Sequence, residues 1–168
     1  MGYCLLPEAA LDWTSVGGEA GRREVERLVV AGNLGLPFNM DNWNGFPRLR
    51  RRILGAARDA GSHLLVLSGD SHNAWAYALK EGGAVVGHEL GVPSITSPGF
   101  ETWFPAEDTA RVAAAMVATN DELIWADTAR RGYGRLVLTP DSSRMEWWMC
   151  DTVRSRSSGA AIAFAMSA

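Results

Sequence analysis

Cysteine is scarce in this chain: Cys4 and Cys150 are two in 168 residues. That excludes the disulfide framework with which small secreted domains make up for a thin core. A single bridge between them is compatible with the sequence but not legible in it, so the compartment stays open. Charge of one sign is scarce too. The formal net charge is −3 and no long run of Lys or Arg occurs, whereas nucleic-acid binders present a concentrated basic face. No nucleic-acid surface is expected. The one basic cluster, Arg48, Arg50, Arg51 and Arg52, opens a helix-like stretch and reads as a solvated face. Long hydrophobic runs are also missing. Met1 to Leu11 lacks the basic-then-apolar pattern of a signal peptide. Ala160 to Met166 is apolar, yet far shorter than the roughly 20 residues of a spanning helix. No membrane span is expected, and residues 152–168 read as a flexible tail behind one domain over residues 1–151.

What is present is the material of a packed core, with 47% apolar and 21% charged residues. Met1 to Asn33 opens with neither a strong strand nor a capped helix, and holds one amphipathic stretch from Arg22 to Val30. Pro37 to Gly45 has the Asn, Gly and Pro content of a loop. Pro47 suits the first turn of a helix in which Leu49, Ile53 and Ala57 recur at helical spacing, and Gly61 closes it. His63 to Ser68 reads as a short strand buried on both faces. Ala74 to Lys80 and Ala84 to Leu90 form a hairpin pattern around Gly82-Gly83. Gly91 to Phe100 is a loop and Pro105 to Thr119 an Ala-rich helix. Glu122 to Asp127, Arg135 to Thr139 and Arg144 to Cys150 read as strands, the last two joined by a turn at Pro140 to Ser143. This order is that of an α/β fold.

The chemistry-bearing residues collect around Gly69-Asp70-Ser71-His72, directly after an apolar strand. A buried parallel strand delivers its C-terminal residues to the sheet edge, where open α/β folds place ligands. Carboxylate and imidazole are the donors for a divalent or ferric centre acting on phosphate esters. A strand-end Asp-x-His is more often a turn with a hydrogen-bonded histidine, and the residues alone leave both readings open. Asn39 and Asp41 either stabilise their own loop or face the same cleft as His72. Ser94 to Gly99 is a hydroxyl-rich loop able to hold a phosphate or to bond to itself. Arg131, beside Arg130 and near Arg135, suits a bidentate phosphate contact, although arginines at a strand edge are commonly exposed charge. His63 and His88 read as structural. Ser71 and His72 are adjacent on an extended segment and are not a catalytic pair.

The order of these segments is more specific than any one of them. Asp41-Asn42-Trp43-Asn44-Gly45-Phe46-Pro47 before an Arg-rich helix resembles the D-x-W-x-G-Y/F-P stretch of PhoD-like alkaline phosphatases. Val66 to Trp75 resembles their L-S-G-D-x-H-x-x-W strand end. Ser94 to Glu101 resembles their S-x-T-S-P-G-x-E loop, and Asp127 to Tyr133 their D-x-x-x-R-G-Y. The resemblance implies part of a metallophosphoesterase-type β-sandwich flanked by helices, with a metal centre at the strand ends. It implies hydrolysis of phosphomonoesters and phosphodiesters with iron and calcium as metals. Asp70 and His72 carry over as catalytic metal ligands. Asn39, Asp41, Ser94 and Arg131 are the expected substrate contacts.

One departure qualifies this. The family collects further ligands from earlier motifs such as Gly-Asp-x-x-Asp and Asn followed by His or Asp; Gly32-Asn33-Leu34-Gly35 lacks the His, and no other ligand motif stands out. The chain resembles a C-terminal piece whose site needs a missing N-terminal segment or another chain. The alternative is a catalytically silent fragment acting only as an interaction or complementation module.

Overall fold

The computed structural model describes residues 16–36, 39–104, 106–157 and 159–167, with no side-chain placement for 106–108. Cys4, the opening Met1 to Leu11 and Pro105 lie outside the described residues. Helices α1 (Gly18–Asn33), α2 (Pro47–Asp59) and α3 (Ala106–Thr119) accompany strands β1 (Leu64–Ser68), β2 (Ala74–Glu81), β3 (Ala84–Gly91), β4 (Leu123–Asp127), β5 (Gly132–Leu138), β6 (Ser143–Cys150) and β7 (Ala160–Ser167). The strands form two sheets, ordered β1-β3-β2-β4 and β5-β6-β7. Among the described residues only β1 and β3 pair in parallel, with Ser68 opposite Gly91.

Side-chain alternation on β2 explains the layering. Trp75, Tyr77 and Leu79 point to one face and are buried with Val25, Leu28, Leu54, Val112 and Met116 of the three helices. Ala74 and Ala76 point to the other face, which meets the second sheet. Their small side chains leave room for Trp147, fully buried, whose indole donates to the Gly91 carbonyl at 3.0 Å. Trp125 stacks on Phe164 behind it, with ring centres 5.1 Å apart. The β2–β3 turn needs glycine at both central positions, because Gly82 and Gly83 hold φ of 62° and 83°.

Five expectations change. The segment read as a flexible tail contains β7, which pairs along β6 and seats Phe164 against Trp125 and Trp147; its apolar residues are the inner face of a sheet strand. Strand β1 is covered on one edge only and Leu67 is 61% exposed, so it is not buried on both faces. Helix α2 docks through Leu54, while Leu49 and Ile53 are exposed. Arg50, one turn before Leu54, leaves the solvated cluster: it lies over Trp43 and forms a largely buried ion pair with Glu122 at 2.6 Å. Strand β5 begins at Gly132, earlier than expected, and draws Gly132-Tyr133-Gly134 out of the loop.

Candidate active site

Strand β1 ends at Ser68 and the chain turns back into β2 within five residues. That tight reversal puts two non-glycine residues in the left-handed region: Asp70 at φ 67° and His72 at φ 59°. Asp and His tolerate this region better than most residues. Holding both there still costs on the order of 1 kcal/mol or more each, which surrounding structure must offset. The Ser71 amide donates to the Gly69 carbonyl at 2.8 Å. Asn73, fully buried, donates through Nδ2 to the Ser71 carbonyl at 2.6 Å and accepts from the Phe100 amide at 3.1 Å. Ser71 Oγ accepts from the Trp75 indole at 2.7 Å. Ser71 is therefore occupied in shaping the turn, and the segment is a tight turn, not the extended one expected from the sequence.

The His72 ring is fixed from one side. Its Nδ1 lies 2.8 Å from the Pro98 carbonyl. A carbonyl only accepts, so Nδ1 carries the proton, and in the neutral ring that leaves the lone pair on Nε2. This is the arrangement by which a protein presents an imidazole to a metal.

Asp70, Ser71 and His72 line a cavity of about 640 Å³ together with Asn39 and Asp41. Leu36, Met40, Phe100 and Trp103 add an apolar wall to the same lining, with Phe100 stacked on Trp103 at 5.1 Å. Nothing in the sequence flagged this wall. Within the Asn39 loop, Asn39 Oδ1 accepts from the Asp41 amide at 2.8 Å. The self-bonded loop and the shared cleft, left as alternatives by the sequence, thus coexist. At the rim Arg27 bonds Glu24 at 2.6 Å and 3.1 Å. That contact holds the Glu24 carboxyl below its usual range and raises Arg27.

The sequence of the chain matches the PhoD-like phosphatases over residues 8–147. The chain belongs to the PhoD-like phosphatase family. A solved structure titled as that of PhoD is similar at 23% identity with a TM-score of 0.57, a likeness of fold. The match covers 79% of this chain and 25% of that one, so the chain spans about a quarter of that structure's length. No curated protein matches the chain.

Two expected substrate contacts of this PhoD-like chain stand outside the cavity lining. Ser94 Oγ accepts from the Thr96 and Ser97 amides at 3.1 Å and 2.8 Å, the self-bonded turn. Arg131 is 5% exposed and engaged with the His72 and Ser97 carbonyls and with Glu101, not free for phosphate. His63 and His88 bond each other at 2.7 Å, consistent with a structural pair.

The carboxylate of Asp70 and Nε2 of His72 are donor types that divalent and ferric ions take. Among the described residues, no three His, Cys, Asp or Glu side chains come together closely enough to hold an ion. The donor types fit, and the donor number falls short of a closed site.

Proposed function

We propose that this chain contributes the Asp70–His72 portion of a metal-dependent phosphoesterase centre that hydrolyses phosphomonoesters or phosphodiesters. The observation that carries the reading is the pair of left-handed residues at the end of β1, both lining one cavity, with the His72 ring tethered through Nδ1. Backbone strain at a strand end points from geometry toward function. Family membership supports the reaction class. A bound metal would supply polarisation of the phosphoryl oxygen and an acidified water. The chain's own part is to present the Asp70 carboxylate and His72 Nε2, to place Asn39 and Asp41 beside them, and to bound the cavity with Phe100 and Trp103.

Two donors hold a divalent ion weakly, because affinity follows ligand number and preformed geometry. The remaining ligands come, in this reading, from a segment outside the described residues or from another chain. A silent complementation module is the second reading, favoured by the lack of a third donor among the described residues. Hydrolysis of bis-p-nitrophenyl phosphate and p-nitrophenyl phosphate, with and without Fe and Ca, separates the two. Metal-dependent turnover that disappears in His72→Ala supports the enzyme reading. Turnover unchanged in that variant removes His72 from the site, and a folded chain without turnover leaves the module.

A further inference from the structure

We propose that Arg131 is the positioning residue for His72, and that the Ser97–Glu101 loop serves as the ring's tether rather than as a phosphate cradle. This rests on the reading of His72 as a ligand through Nε2. The case starts from one guanidinium. Arg131 Nη1 donates to the His72 carbonyl at 2.6 Å and to the Ser97 carbonyl at 2.7 Å. Its Nη2 donates to Glu101 Oε2 at 2.7 Å. The Glu101 carboxylate in turn accepts the Gly99 amide through both oxygens at 3.0 Å.

The acceptor of the His72 ring, the Pro98 carbonyl, therefore sits between two gripped neighbours. Ser97 is held by Arg131, and Gly99 by Glu101, itself bound to Arg131. The backbone of His72 is held by the same Nη1. One side chain thus fixes both ends of the Nδ1–Pro98 hydrogen bond, the ring's own main chain and the loop that receives it. The packing admits little slack. A Cβ on Gly99 would fall 2.5 Å from Asn73 Oδ1, 2.9 Å from Arg131 Nη2 and 2.9 Å from the His72 carbonyl. A buried guanidinium is costly unless its protons are matched; here Nη1 and Nη2 find acceptors around the His72 turn, while Nε has none among the described residues.

A merely structural arginine would change stability and leave the imidazole as it is. The discriminating observable is the tautomer of His72, read from long-range 1H–15N correlations of the protein labelled at histidine nitrogens. Wild-type His72 is expected as the Nδ1–H form. Arg131→Lys keeps the charge but loses the planar fork. In the folded variant the tautomer ratio should move about five- to tenfold toward Nε2–H, the effect of weakening one hydrogen bond. Glu101→Gln keeps an acceptor for Arg131 and should move it less, in the same direction; it serves where the lysine variant does not fold. Arg130→Lys, beside the clamp and paired with Asp127, should leave His72 unchanged. The proposal is overturned if wild-type His72 is the Nε2–H form, or if folded Arg131→Lys or Glu101→Gln keeps the wild-type spectrum. Zn2+ added to the same samples isolates the functional reading. A tethered His72 whose Nε2 resonance ignores Zn2+ supports the clamp and counts against the metal site.

Discussion

The same substitution, glycine to alanine, is expected to act with opposite sign at two positions. At Gly99 the backbone angles, φ −115° and ψ −141°, do not demand glycine through a positive φ. The demand is for space: the added methyl meets the Asn73 amide oxygen at 2.5 Å and two further atoms at 2.9 Å. Asn73 is fully buried and held by the Ser71 carbonyl and the Phe100 amide, so it cannot swing aside without breaking those bonds. Overpacking of this kind costs about 1–3 kcal/mol. At roughly 2–4 °C per kcal/mol for a chain of this size, Gly99→Ala should melt about 2–12 °C lower. Gly55 lies inside α2, and a Cβ there meets nothing within 4 Å. Gly55→Ala removes a helix-interior glycine and should raise stability by about 0.5–1 kcal/mol. Thermal unfolding followed by near-ultraviolet circular dichroism, with wild type alongside, reads both. Equal melting temperatures for Gly99→Ala and wild type would refute the close packing behind the His72 turn.

Burial first, and the neighbouring His63 second, hold the His88 imidazole below its ordinary value near 6.5. The neutral form is favoured by folding, so this contribution is full above the ordinary value and falls away as pH drops through it. Urea midpoints should decline from pH 8 to pH 5.5 less steeply in His88→Gln than in wild type; equal slopes would contradict the assignment. Phe164→Ala removes the ring stacked on Trp125 and tilted against Trp147, and for this partly buried side chain about 2–3 kcal/mol should be lost. A urea midpoint unchanged in that variant would restore the loose tail in place of β7.

Much of the fold was legible because local signals and tertiary structure agree. Pro47 starts α2, the Gly82-Gly83 pair turns the β2–β3 hairpin, and the apolar run after His63 is a strand that ends at Ser68 and leads into the Asp70–His72 turn. Where reading failed, the deciding contact was distant in sequence. Leu49 and Ile53 keep helical spacing, but α2 docks on Leu54 because Arg50, on the same face, reaches Glu122. Residues 160–167 are long enough for a strand, but their Ala-rich apolar run lacks the polar alternation that would announce one until β6 is beside them. The candidate site divides in the same way. Asp70 and His72 stand out by position and residue type. Arg131 carries the type suited to phosphate, yet its burial against the His72 and Ser97 carbonyls is a matter of packing that no spacing reveals. Asn73, inside the same short motif, escaped notice because a buried amide that shapes a turn looks like any loop asparagine.

The central claim is that Asp70 and His72 present their donors together to one metal ion. Titration of the labelled chain with Mn2+, a paramagnetic ion that takes oxygen and nitrogen donors, tests this directly through the amide resonances it broadens. Broadening should centre on Gly69 to Asn73, extend to the Asn39–Asp41 loop that lines the same cavity, and disappear in both Asp70→Asn and His72→Ala. Broadening centred elsewhere, or persisting around His72 in the two variants, would contradict it.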